Sequence, residues 1–409
     1  MAPPLLVALN RSSTVINTPA AKLTKSSILL LAAASAIVTA NAYYIHPIIG
    51  SVAESFGVSD GLVGAVPALN QLALALGVLV LLPLGDRMSN RRIVAVCLSA
   101  QVLALAAMAT VDSFSVFLAA STVLGFFTIT PYLLPAYASK RVDGEQLGFV
   151  TAVLTTGVIA GVQLSRLGSG VVGEYLGWRA VYWIAAVLMA LSAVVLPTLM
   201  EREEHDNSEA PSYMSLLSSL ASLAVKYQRV VISGVIQGLS FAIFLAIWMG
   251  IGLHLTSEEM GLGTDMVGYL SAFSAMGLLF TPRLGKLADR LGAERARVFA
   301  ALGQLVGIST LAIAGSTWWY LLLPIGVISI VGPTVDIAGR MTSLSQPASV
   351  RTRMMSLYIT LMFLGGGIGS WSGTLAYDLA GWTGTVVMCC SLSVVVCLIS
   401  YQQYKTRQR

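Results

Sequence analysis

Only 11% of this chain's residues are charged, so each charge inside an apolar run asks for a chemical reason. Arg166 stands in Gly161-Val162-Gln163-Leu164-Ser165-Arg166-Leu167-Gly168-Ser169-Gly170, seven residues before Gly173. A guanidinium there holds an anion, acts as a gating group, or is tied down structurally by carbonyls or by Glu174. Asp336 is the one acid well inside an apolar run, with Arg340 a helical turn further on. It either serves coupling or substrate binding or forms a simple i,i+4 pair. His46 titrates near neutral pH or acts as an interfacial hydrogen-bonder. His46 and Asp336 are therefore the coupling candidates.

Polar side chains in apolar runs form a second group. Asn41, Tyr43, Tyr44, Asn70, Gln71, Gln163 and Gln237 each sit where an unsatisfied polar group is costly. Facing a cavity satisfies them, and so does hydrogen bonding between helices. The candidate substrate-binding set is Asn41, Tyr44, Asn70, Gln71, Gln163, Arg166 and Gln237, with Phe241, Phe244 and Trp248 as an aromatic wall. Histidines at 46, 205 and 254 are scattered, and no metal-binding or phosphate-loop spacing is present. We expect no metal, no cofactor and no enzyme activity. A sensor role would need a larger soluble domain than residues 200–228 provide.

These residues must be positioned by helices in a bilayer. The chain is 56% hydrophobic, and its uncharged runs reach the roughly 18 residues needed to span. The expectation is an all-α membrane protein with twelve crossings, near 27–49, 61–83, 93–111, 113–138, 147–173, 179–199, 229–253, 266–284, 298–315, 317–340, 354–378 and 381–402. Residues 1–26 read as a cytoplasmic tail, 27–199 as a first six-helix bundle and 229–402 as a second. Residues 200–228 form a cytoplasmic loop in which Met214, Leu217, Leu220 and Leu223 mark a surface helix, and 403–409 a short tail. Of the 24 Lys and Arg, all but Arg166 and Arg179 fall on one face of this layout. That asymmetry places both termini in the cytoplasm. It also explains the net charge of +5 without a nucleic-acid partner.

The two halves repeat one another. Asp86 and Asp289 lie 203 positions apart, and Gly177-Trp178 recurs 204 positions later as Gly381-Trp382. Glu174 and Asp378 each precede their Gly-Trp by three residues. Duplication of this kind in a membrane protein points to transport, with the site between the halves.

The stretch Gly285-Lys286-Leu287-Ala288-Asp289-Arg290-Leu291-Gly292 resembles the signature of the major facilitator superfamily. The earlier copy keeps Asp86-Arg87 and Arg91-Arg92 but has Leu82, followed by Pro83, at the leading glycine position, and its later glycine is Asn90 or absent. The glycine-rich 157–173 run is similar to the fifth helix of the twelve-span bacterial drug:proton antiporters, with Ser165-Arg166 where Gly-Pro is usual. Ser121 stands where that branch has an Arg four residues before Gly125. The resemblance implies two pseudo-symmetric six-helix bundles that move a small organic molecule by alternating access, as proton-coupled efflux. The alternative is an uptake carrier or uniporter for a small anionic metabolite. It further implies a monomer in the inner (plasma) membrane. Gating falls to Asp86, Arg87, Arg91, Asp289 and Arg290, with Asp86 facing the region of Met354 and Asp289 that of Glu145–Leu147.

Overall fold

The structure, a computed structural model, describes residues 23–201, 213–313 and 317–408. Among them no strand occurs. The first half contains α1 (Lys25–Ala40), α2 (Ile45–Phe56), α3 (Asp60–Val63), α4 (Ala65–Leu81), α5 (Asn90–Thr110), α6 (Phe114–Phe127), α7 (Thr130–Ser139), α8 (Gly144–Leu176) and α9 (Trp178–Leu199). After α10 (Tyr213–Lys226), the second half contains α11 (Gln228–Leu255), α12 (Thr264–Ser274), α13 (Thr281–Leu291), α14 (Ala293–Thr310), α15 (Leu322–Leu344) and α16 (Ala348–Gln408).

Among the described residues, nine helical segments are long and apolar enough to cross a membrane. The last of them, Arg353–Thr406, holds two runs that meet at the non-helical Ala380-Gly381. With the interrupted α12–α13 segment and α14, this gives the twelve crossings of two six-helix bundles. The second half thus departs from unbroken spans, since α12 gives way to a tight 3-10 stretch at Ala275–Leu279 before α13 starts at Thr281-Pro282. Proline at a helix's first turn costs no hydrogen bond, so Pro282 fits a restart there.

The repeated Gly-Trp landmarks are helix reversals. Gly177 has φ +83° and Gly381 φ +59°, conformations that a Cβ disfavours. Each glycine ends one helix, and the following tryptophan, Trp178 or Trp382, is buried in its own bundle. In the first bundle Trp178 packs edge-on against Phe117 and Tyr182. In the second, Trp382 donates its indole hydrogen to Leu311 O at 3.1 Å and stacks on His254.

Small residues then let the helices touch backbone to backbone. Gly157 and Gly161 of α8 lie against Ala32 and Ala36 of α1, Gly125 of α6 against Asn70 of α4, and Gly365 of α16 against Gly238 of α11. Close approach of this kind drives helix association in lipid, where burial alone offers no gain.

The two bundles meet unevenly. One face of the molecule carries Arg87, Lys140, Arg141 and Arg290, and is called the basic face below. At the other end Gly170 of α8 abuts Thr264 and Gly268 of α12, and Gly252 of α11 abuts the carbonyl of His46. Toward the basic face α8 and α13 part, since a Cβ on either Gly148 or Gly285 would meet no neighbour. On the α8–α13 side the bundles therefore touch at one end and stand apart at the basic face, while α16 stays packed on the first bundle. The helix α10 turns buried Leu223 toward Val230 and Met354, so part of its apolar side packs on protein.

Gly365→Val should lower the thermal midpoint of the detergent-solubilised protein, because the added methyls meet the backbone of Gly238. Overpacking of this kind costs about 1–3 kcal/mol. Gly148→Val, placed in open space, should leave the midpoint within error.

Candidate functional site

Gln163 and Arg166 stand one turn apart on α8, and His46 lies at the start of α2, just past the break at Asn41–Tyr44. Arg166 Nε donates to His46 Nδ1 at 3.1 Å, and Nη1 donates to Gln163 Oε1 at 3.4 Å. An accepting Nδ1 puts the hydrogen of a neutral imidazole on Nε2. Both His46 and Arg166 are fully buried, which moves His46 from a membrane boundary to the protein interior.

The second bundle supplies aromatic faces. The guanidinium carbon is 4.3 Å from the Trp248 ring centre and 4.8 Å from that of Phe244, both on α11, and 5.3 Å from that of Tyr43. Cation–π contacts are worth about 2 kcal/mol when desolvated. They orient the cation without neutralising it. No carboxylate pairs with Arg166 among the described residues. Leaving a buried charge uncompensated costs about 3–5 kcal/mol. Arg166 Nη2 and His46 Nε2 are both buried with no hydrogen-bond partner.

Gln163 links the bundles directly. Its Nε2 donates to Ser274 Oγ at 2.8 Å, and its Oε1 accepts from Ser271 Oγ at 3.3 Å. Glu174, the structural alternative as partner for Arg166, is engaged elsewhere. It accepts from the backbone N–H of Thr264 at 2.8 Å, capping α12 across the bundle interface. Thr264 Oγ1 donates to Gly170 O at 2.8 Å beside it. Its repeat mate Asp378 takes the related position on the other side, where a Cβ on Gly61 would stand 2.8 Å from Asp378 Oδ2. The acids that mark the sequence repeat thus sit at two related cross-bundle junctions, both at the closed end.

The remaining amides divide. Asn41 Nδ2 donates to Gln101 Oε1 at 3.0 Å, and Gln101 Nε2 donates to Phe127 O at 3.0 Å. This network ties the α1–α2 break to α5 and to the α6–α7 break. Asn70 Nδ2 donates to Ser121 O at 2.8 Å, joining α4 to α6. Asn41 and Asn70 therefore each hold helices together within the first bundle. Gln71 is fully buried with neither amide atom partnered, and Gln237 leaves its Oε1 unpartnered. Tyr44 packs in the first bundle's apolar core. Gln101 escaped the sequence reading because its partners lie far along the chain.

Asp336 sits in a cluster of its own. Arg340 Nε donates to its Oδ2 at 2.8 Å, and Tyr358 of α16 donates to its Oδ1 at 2.9 Å. Tyr132 of α7 stands within electrostatic range of both charges. It meets Phe363 edge-on at 5.5 Å, so the first bundle borders this cluster.

On the basic face, Asp289 and Arg290 are exposed, and Arg87 and Arg91 are half-buried. The side chains of Asp86 and Glu145 lie outside the described residues. Asp289 is not docked on α8 in this arrangement, since α8 and α13 stand apart there.

Residues 31–338 match the Major Facilitator Superfamily. The chain belongs to that superfamily. Among its relatives, an Escherichia coli O157:H7 protein named "Uncharacterized transporter YgaY" is 25% identical over 95% of this chain and 98% of its own length. The Salmonella arizonae multidrug resistance protein MdtG is 24% identical over 52% of this chain and 56% of its own. The crystal structure of the nucleoside transporter NupG superposes with a TM-score of 0.75 at 15% identity, covering 93% of this chain and all of NupG. That likeness establishes the fold. This superfamily member is a multi-pass membrane transporter of small molecules.

Two outcomes follow from the geometry. Gln101→Ala should destabilise the fold by about 1–3 kcal/mol, the cost of orphaning buried partners, with the ranking of bound compounds unchanged by a thermal-shift screen. Glu174→Ala should loosen the closed end. In a background lacking the four native cysteines, a cysteine at buried Ser271 should then react several-fold faster with a membrane-impermeant maleimide.

Proposed function

We propose that this superfamily member exports a small organic molecule by alternating access, driven by protons entering the cell, in the manner of the drug:proton antiporters. The observation that carries the proton step is the Asp336–Arg340–Tyr358 cluster, set in α15 and bordered by Tyr132 of the opposite bundle. A carboxylate in that place can accept a proton when Arg340 and Tyr358 shift, and the shift couples protonation to bundle movement. The partial likeness to MdtG, whose name records multidrug resistance, supports efflux.

In this reading the basic face is cytoplasmic, so the gap between α8 and α13 opens to the cytoplasm. Both termini lie on that side of the plasma membrane, and the protein acts as a monomer. Asp86, Arg87, Arg91, Asp289 and Arg290 latch the basic face shut in the alternate state, when α13 returns to the start of α8. Glu174 ties the other face shut in the arrangement described here, and Asp378 sits at the matching junction.

The test uses everted membrane vesicles energised by respiration, with radiolabelled ethidium, chloramphenicol and benzoate as cationic, neutral and anionic probes. At least one probe should accumulate inside, and a protonophore should release it. Asp336→Asn should cut that accumulation at least about ten-fold, as expected for loss of a general proton carrier. Accumulation of none, or undiminished accumulation by Asp336→Asn, contradicts the reading.

A further inference from the structure

We infer that Arg166 and His46 form the recognition site for the negative charge of the cargo, and that the cargo is a monoanionic carboxylate with an apolar body. The inference rests on the transport reading above and names its substrate class. It starts from two donors that nothing satisfies. Arg166 Nη2 and His46 Nε2 are buried and without partners, and they belong to side chains already locked together through Nε and Nδ1. A guanidinium with one nitrogen spoken for by His46 and another by Gln163 still offers Nη2 to a carboxylate oxygen.

The surroundings narrow the class. Tyr43, Phe244 and Trp248 flank the cation, and Ala42, Val162, Phe241 and Leu245 pack beside them. A strongly hydrated inorganic anion would lose its water there and recover few hydrogen bonds. An organic carboxylate loses less and lays its apolar portion against the rings. A cation is excluded by repulsion from Arg166, and a neutral molecule leaves the guanidinium uncompensated.

The position also says how binding acts on the fold. Gln163 reaches Ser271 and Ser274 across the interface, and Gly170 abuts Gly268 beside it. The bundles close over Arg166, so an anion entering from the basic face reaches Nη2 only as Gln163 lets go of Ser271 and Ser274. Cargo then replaces cross-bundle bonds with bonds to itself, and its binding favours movement of one bundle against the other.

The experiment uses the full-length protein in lipid nanodiscs, with binding measured by calorimetry. Acetate, benzoate, cinnamate and octanoate are each compared with the corresponding neutral amide. At least one of the three larger carboxylates should bind at least about ten-fold tighter than its amide, a difference of about 1.4 kcal/mol, and acetate should bind more weakly than that carboxylate. Arg166→Met should abolish the preference, and Arg166→Lys, which keeps the charge but loses the fork, should reduce it. If Arg166→Met does not fold, the wild-type ratios and Arg166→Lys decide. The inference is overturned if no carboxylate outbinds its amide, if chloride competes as well as the best carboxylate, or if the preference survives undiminished in the folded variants. Carboxylate binding without proton-driven accumulation of any probe would sink the export reading alone. Proton-driven accumulation of ethidium without carboxylate preference would sink this inference alone.

Discussion

A guanidinium buried in a membrane-spanning helix, with no counter-charge among the described residues, is the constraint on which the rest of this structure turns. Arg166 is fully buried, bonded to neutral His46 and Gln163, and faced by three aromatic rings. Such a group is expensive to keep. It is tolerated here because two bundles share the task of enclosing it: the first provides the hydrogen bonds and Tyr43, the second Phe244 and Trp248. The charge therefore reports on the interface between the halves, and whatever neutralises it acts on both.

The interface is built so that it can come apart. Within each bundle, glycines bring backbones into contact, as at Gly157–Ala32 and Gly238–Gly365. Between the bundles at the closed end, glycines again bring backbones together, at Gly170–Gly268 and Gly252–His46, and polar groups add to them: a carboxylate on a helix start at Thr264, a second carboxylate beside Gly61, and the Gln163 bonds to two serines. Helix-end charges of this type are worth a fraction of a kcal/mol to about 2 kcal/mol. The polar part of the closure is therefore small enough to be exchanged. The placement of Glu174 and Asp378 at matching junctions follows from duplication, since each half presents an acid at the same place in its repeat.

Much of this was legible in the sequence. Uncharged runs located the crossings, the lopsided Lys and Arg distribution marked one face, and the spacing of Gly-Trp pairs exposed the repeat. That Arg166 is a buried charge could be read from its place among apolar residues. Less could be read of its partners, because His46 lies 120 positions earlier in the chain. Gln163, Asn41 and Asn70 looked alike as polar residues in apolar helices. Only packing separates Gln163, which crosses the interface, from Asn41 and Asn70, which brace one bundle. The break between α12 and α13 was hidden because Ala275–Leu279 is as apolar as its neighbours. Tyr358 became part of the Asp336 pair only through the return of α16 past α15. Asp289 is exposed, so the gating contact expected of it is not made in this packing.

The central claim is that the two bundles exchange a closed end for an open one around Arg166. Spin labels at exposed Glu54 and Glu259, one on each bundle near the closed end, would report it by pulsed dipolar distance measurement in nanodiscs. The account predicts two distance populations, with the longer one growing when Glu174 is replaced by alanine. A single distance, unchanged by that replacement and by an imposed change of pH, would contradict it.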